Sequence, residues 1–385
     1  MASYEHKADA PGLLEEERRG RGRKTPEGEG GSGRAWKGTI SDRVLVTRKL
    51  PQAVLKITGH GNGMKSARRL VRYVGEQGET PVELDDGSML YTKEDMDQLA
   101  ADWSADFSTR ANSRDVMHVV VSVPSGTDKA VAQNAAREFF SETFAVNHEY
   151  AFAAHDETDN FHIHLLVKMR GRDGKQLRST RKDPDLWRQG FAAKAREHGL
   201  MLDASPRRAR GKGRKSSPPT AVYELRKRGE VPEMDSSAAA EALARVRESA
   251  VMPNEFEQTL REINLEERLE FAKHAKAAIA QAQKIETDAD RVTALEIAAD
   301  LAVHAETMPI PKTRMELLME SVKPGISQAD LDLAEVRGLT KEVERSIRNQ
   351  IGTFSDPALQ RRAIGARARL SEVFHKPVVD QEQDR

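Results

Sequence analysis

The 385-residue chain contains no cysteine. That excludes disulfides and thiolate metal sites, leaves imidazoles and carboxylates as metal-holding side chains, and suits a reducing cytoplasm. Aromatic residues amount to 5% and mean hydropathy is −0.65, a composition of long polar helices rather than one large core. There is no run of eighteen apolar residues and no basic start followed by an apolar stretch, so neither a membrane span nor a secretory signal is expected. No sign of charge prevails overall, because 61 Lys and Arg face 61 Asp and Glu.

That balance is uneven along the chain. Residues 230–385 hold 21 basic and 29 acidic side chains, so the back portion is net −8 and the front net +8. Much of the positive excess lies in Lys168–Arg188 and Arg207–Arg228, and such basic segments point to a polyanion. Three regions are expected. Residues 1–50, with GRGRKTPEGEGGSGR, read as a disordered basic, glycine-rich arm; 51–215 alternate strand and helix patterns; 216–385 form a helical accessory region.

The most informative stretch is HDETDNFHIH, residues 155–164. His162 and His164 sit two apart in an apolar, branched run that reads as a buried strand, so their side chains share one face. His155 ends the preceding apolar run, YAFAA, and the turn-prone residues between allow the chain to double back. Three imidazoles then converge. Such a set suits one divalent cation with coordination positions left open; the alternative is ordinary half-buried histidines.

Around it the pattern predicts a strand at AVLKIT, a helix over 64–77, a hairpin at PVELDDGSMLYT, and a helix over 93–109. A strand at DVMHVVVSVP follows, with His118, Val120 and Ser122 on one face, then helices over 129–144 and 184–198 flanking the histidine hairpin and a short strand near Leu177. The fold class is α+β: an antiparallel central sheet with flanking helices, followed by an all-helical C-terminal region. On the helix over 64–77, Ser66, Leu70, Tyr73 and Gln77 share a face; by periodicity alone Tyr73 is a packing residue.

HDETDNFHIH resembles the third signature, HxDxxxxHxH, of plasmid relaxases, the mobilisation nucleases of the HUH endonuclease superfamily. MHVVVSVPSGTD resembles the second signature and SARRLVRYVGEQGE the first, in which a tyrosine sits on a helix shortly after the first strand. AREHGLMLDASPRRARG resembles the continuation found in the T-DNA border endonuclease branch. The likeness runs in order over residues 53–213, and it departs where Glu157 stands in place of the family's aspartate.

The resemblance implies a metal-dependent DNA relaxase. It would nick one strand at an origin of transfer by transesterification, with Tyr73 as nucleophile and a 5′-phosphotyrosyl intermediate, serving conjugative transfer. His155, His162 and His164 would hold one divalent ion, Mg or Mn in use with Zn, Ni or Co as further candidates. Glu157 would orient an imidazole or take the phenol proton, and Tyr91 is the rival nucleophile. Arg170, Arg172, Lys175, Arg178, Arg181 and Lys182 would neutralise phosphates, with Trp187 available either for base stacking or, equally, for a core role on its helix. Expected partners are single-stranded DNA at the origin, accessory relaxosome proteins and a type IV coupling protein. Two other readings stay open: a relaxase-derived DNA-binding protein that no longer cleaves, and a metal-dependent nuclease that uses water. In the C-terminal region helices are expected over 241–250, 255–283, 288–306, 313–322 and 328–352, without a phosphate loop or helicase signature.

Overall fold

A computed structural model describes residues 36, 38–110, 112–156, 161–180, 182–213, 220–247, 255–324 and 331–375. Glu157 and Arg181, and most of the expected arm, lie outside the described residues. The described residues divide into two compact units, one from Lys49 to Ser205 and one combining the residues up to Arg48 with those from Pro206 onward.

The expectation of an arm reaching residue 50 is corrected by helix α1 (Ile40–Thr47), which belongs to the second unit. Thr39 and Asp42 form a capping box: each side chain accepts from the other's backbone N–H. Ile40, Val44 and Val46 are buried, and the fully buried Arg43 bonds the Trp36 carbonyl and lies 3.7 Å from Glu267. One apolar stripe on eight residues is a weak signal beside so polar a neighbour, and it becomes a helix because that stripe finds a core.

In the unit Lys49–Ser205 six strands form one sheet: β1 (Val54–Gly61), β2 (Val82–Leu84), β3 (Met89–Leu90), β4 (Val116–Ser122), β5 (Tyr150–His155) and β6 (His162–Lys168). Their order is β1-β4-β6-β5-β2-β3 and every neighbouring pair is antiparallel. The chain ends of the unit are stapled together, since Ala53 N donates to the Asp203 carbonyl at 2.8 Å and Asp203 N to the Pro51 carbonyl at 2.9 Å.

Alternation along the central strand β6 divides the residues between two cores. Ile163, Leu165 and Val167, with Met117, Val119, Val121 and Phe152, pack beneath helices α4 (Lys129–Phe140) and α5 (Asp183–Glu197). On the other face Leu166, Val116, Ala151 and Ala153 meet helices α2 (Gly63–Val74) and α3 (Lys93–Ser104) through Ala67, Val71, Val74, Met96 and Trp103. This second face also carries the histidines, so they share it with α2.

Three expected features differ, the first being the helix over 64–77, which ends at Val74. The helix over 93–109 stops at Ser104, and the short strand near Leu177 is reduced to one bridge between Arg170 and Gln176. Trp187, offered as a stacking surface for bases, packs edge-on to Phe144 at 5.2 Å and belongs to the core beneath α5.

The other unit is built on helices Glu255–Ala282, Asp288–Thr307, Ala334–Ile351 and Pro357–His375. Alanines at 272, 275, 278, 282, 298, 302 and 305 line its core and let helix axes approach closely. Arg268 is fully buried and caps a helix end: Nη1 donates to the Ala305 and Glu306 carbonyls at 2.8 and 2.9 Å. Helices Thr220–Lys227 and Pro357–His375 were not expected, and the helix expected from 241 begins at Glu233.

His304 gives this unit a pH-dependent weakness. Its Nε2 lies 2.9 Å from the Ala209 carbonyl and its ring 4.4 Å from that of Phe271. Burial, with the charges of Arg268, Arg43 and Arg210 adding to it, holds the imidazole down to about 4 from its ordinary 6.5. A folded-state value below the unfolded one means that the stabilisation is complete above pH 6.5 and is lost as pH falls towards 4. Thermal unfolding of the wild type should therefore lose up to about 3 kcal/mol more over this window than His304→Gln; equal slopes would contradict the assignment.

Candidate active site

The histidine set is assembled by strand register. His155 at the end of β5 pairs directly with His162 on β6, and His164 pairs with Ala153 on one side and Val120 on the other. Residues opposite one another in an antiparallel pair point the same way, so the three imidazoles emerge on one face. Their candidate ligand atoms all lie within 4.8 Å of one another. His155 and His164 are buried and His162 is half-buried.

Hydrogen bonding fixes which nitrogen His155 and His164 offer. His155 Nε2 donates to the Val74 carbonyl at 2.6 Å, which leaves Nδ1 as the lone pair, 3.8 Å from Glu76 Oε1. His164 Nδ1 lies 2.8 Å from His118 Nε2, and His118 Nδ1 lies 2.9 Å from Thr58 Oγ1, which in turn reaches the His118 carbonyl at 3.2 Å. One direction satisfies all three contacts with neutral rings: His164 Nδ1–H donates to His118, His118 Nδ1–H to Thr58, and the Thr58 hydroxyl to the carbonyl. His164 Nε2 then carries a lone pair, and it is buried without a hydrogen-bond partner among the described residues. An orphaned imidazole nitrogen inside a three-histidine set is the donor chemistry a divalent cation requires.

Burial keeps His164 and His118 neutral. Burial, then the neighbouring imidazoles, holds His164 down to about 3; burial and His155 hold His118 down to about 4. The His164 Nε2 lone pair is thus available at neutral pH without displacing a proton.

Tyr73 closes the site. It occupies the last turn of α2, one residue before the carbonyl that accepts from His155, and its ring stands edge-on to His164 at 5.5 Å and to His118 at 6.0 Å between centroids. The side chain is 55% exposed, whereas Val71 and Val74 on either side are buried. A packing tyrosine would be covered, and this one presents its ring to solvent beside the imidazoles. The chain reverses sharply after it: Glu76 and Gln77 hold φ of 48° and 61°, a left-handed turn that costs non-glycine residues energy and clusters at functional sites. Tyr91 is also exposed, at 61%, and lies on the segment between β3 and α3.

A family model for the nuclease domain of MobA/VirD2-like relaxases matches residues 73–200. Residues 73–200 are thus similar to the nuclease domain of MobA/VirD2-like relaxases. Among similar proteins are the T-DNA border endonucleases VirD2 of Rhizobium radiobacter, 36% identical over 104 residues and covering 24% of each chain, and of Rhizobium rhizogenes, 27% identical over 183 residues and covering 42% of each. The VirD2 of Agrobacterium fabrum is 35% identical over 104 residues, 24% of this chain and 23% of that one. The matches thus span less than half the length of these relatives. No solved structure matches the chain.

The matched relaxase segment begins at Tyr73 and contains His118, His155, His162 and His164. Sequence reasoning placed His118 on the correct strand face and gave it no role; its contact with His164 depends on the pairing of Val120 with His164, which no local pattern encodes. Thr58 was missed as well. It is the extra residue of a bulge in β1, where the register slips between Ile57 and Gly59, and the glycine inside that strand was the available signal. Glu76, whose other carboxylate oxygen is held by Thr80, was read only as part of a helix end.

The basic residues proposed for DNA are not brought to the histidines. Arg170, Arg172 and Lys175 follow the opposite end of β6, whose last residue, Lys168, lies about 13 Å along the strand from His164 at the usual rise. Arg170, Arg178 and Lys182 are exposed. Arg172 pairs with Asp85 at 2.6 Å and Lys175 with Asp173 at 3.7 Å, so part of their charge is already balanced.

Proposed function

We propose that this relaxase nicks one strand of DNA at an origin of transfer by tyrosine transesterification, as the opening step of conjugative transfer. The Tyr73 Oη attacks the scissile phosphorus, the bond to the 3′ oxygen breaks, and the products are a 5′-phosphotyrosyl enzyme and a free 3′-hydroxyl. One observation carries the reading: an exposed tyrosine ring standing 5.5 Å from that of His164, a member of the three-imidazole set. No water is consumed, and the phosphoester is conserved for resealing.

A phenol ionises near pH 10, so at neutral pH it needs help to lose its proton. His155, His162 and His164 would hold one divalent cation, Mg or Mn in use, with Zn, Ni or Co accommodated by all-nitrogen ligation. When bound, that ion supplies charge stabilisation for the phosphoryl oxygens. The chain's own groups do the positioning. Thr58 and His118 hold His164 in the tautomer that offers Nε2, the Val74 carbonyl holds His155, and Glu157 orients an imidazole or accepts the phenol proton. Arg170, Arg172, Lys175, Arg178, Arg181 and Lys182 would serve the flanking DNA. Accessory relaxosome proteins and a type IV coupling protein are the proposed partners and the cytoplasm the proposed location; among the described residues no helix is long and apolar enough to cross a membrane.

The test uses single-stranded oligonucleotides tiled across the DNA flanking the gene, labelled at either end and incubated with Mg or Mn. The 3′ label should migrate with the protein in denaturing gels and the 5′ label should appear on a shorter free strand. A water-using nuclease would leave no labelled protein, and a non-cleaving binder would leave both labels on intact DNA.

A further inference from the structure

Helix α2 carries four cations, and the fold treats them as two pairs. Arg68 and Arg72 turn towards α3, where Asp97 takes both: Arg68 Nε lies 3.7 Å from Oδ1, and Arg72 makes a two-pronged contact with the same carboxylate. Lys65 and Arg69 are exposed, and among the described residues neither is paired with an acid. With Tyr73 they occupy successive turns, four residues apart, so at roughly 1.5 Å per residue Arg69 stands about 6 Å and Lys65 about 12 Å behind the phenol along the axis, within about 80° around it. That interval approximates the separation of consecutive phosphates in an extended single strand.

The start of the helix connects with the distant basic segment. Gly63 N donates to Asp115 Oδ2 at 2.8 Å, and the carbonyl of Asp115 accepts from Met169 N at 2.8 Å, next to the exposed Arg170. Helix α2 therefore runs from the sheet end where Arg170 emerges to the end where the histidines lie.

From these observations we propose that the outer face of α2 is a phosphate track, on which Arg69 and Lys65 hold two successive phosphates of single-stranded DNA adjoining the one presented to Tyr73, with Arg170 continuing the path. The proposal takes its direction from the reading of Tyr73 as nucleophile and supplies the cations close to the histidines that the loop after β6 does not. Each phosphate neutralised on a single strand contributes roughly 0.7 to the slope of log affinity against log salt. Exposed cations on a solvent face can be replaced by glutamine with little effect on folding.

The measurement is fluorescence anisotropy of a fluorescein-labelled oligothymidylate with the full chain, titrated at several salt concentrations in a Tyr73→Phe background that cannot react. Relative to that background, Lys65→Gln/Arg69→Gln should flatten the salt slope by about 1.4, and each single change by about 0.7. Arg72→Gln, whose guanidinium is held two-pronged by Asp97, should change it by much less. An unaltered slope in the double variant, with its circular dichroism and melting retained, would overturn the track. The two ideas fail separately: a flattened slope without any tyrosyl adduct in the wild type would reject the nicking reaction and keep the track, and an adduct with an unaltered slope would do the reverse.

Discussion

Tyr73→Phe should lose covalent DNA attachment altogether, with strand cleavage falling by at least about 10⁴-fold, while metal and DNA binding stay within about twofold of the wild type. The change removes one oxygen from a ring that is 55% exposed, so little packing is disturbed. What disappears is the only atom of that side chain able to bond to phosphorus. Quench-flow or gel assays of nicking, set beside calorimetric titration of Mn, separate the two consequences. Continued cleavage at more than a hundredth of the wild-type rate would transfer the chemistry to another group, with Tyr91 or a water molecule first in line.

Metal affinity should respond to residues that never touch the ion. His164→Ala removes a proposed ligand whose Nε2 is buried and unpartnered among the described residues, and binding should fall by about 10³-fold or more. His118→Leu leaves all three proposed ligands in place and deletes the acceptor 2.8 Å from His164 Nδ1. His164 is then free to turn over or to change tautomer, and affinity should drop roughly 10- to 100-fold. His118→Gln, which keeps an acceptor at that position, should recover most of the loss. Thr58→Val should show the same trend more weakly. In the wild type the His164 Nδ1–H should give a downfield proton resonance that vanishes in His118→Leu; wild-type affinity in that variant would mean that the chain of hydrogen bonds merely fills space.

Much of this arrangement was legible in the sequence because it is local. The period-two alternation of HIHLLV put His162 and His164 on one face, and the length of the turn before them allowed His155 to return beside His162, as the register of β5 and β6 has it. The α+β class and the order of its elements follow from the same alternation. What could not be read depends on contacts between distant segments. His118 and Thr58 reach the site through strand pairing and a bulge, and Asp97 selects which arginines of α2 stay free for a ligand. The helix over Ile40–Thr47 was lost in the composition around it, since its apolar stripe has meaning only against the helices that bury it. Charge density alone does not tell which cations are free: Lys168 lies in the most basic stretch, yet its ammonium is buried and bonds Asp106 and Glu149 at 2.7 and 2.6 Å.

The account depends most on where the broken DNA strand becomes attached. After incubation with Mn and a cleavable single-stranded oligonucleotide, nuclease trimming, tryptic digestion and mass spectrometry should find one peptide heavier by a phosphonucleotide, with fragmentation placing the added mass on the Tyr73 phenol. Attachment to any other side chain, or cleaved DNA with every tyrosine unmodified, would contradict it.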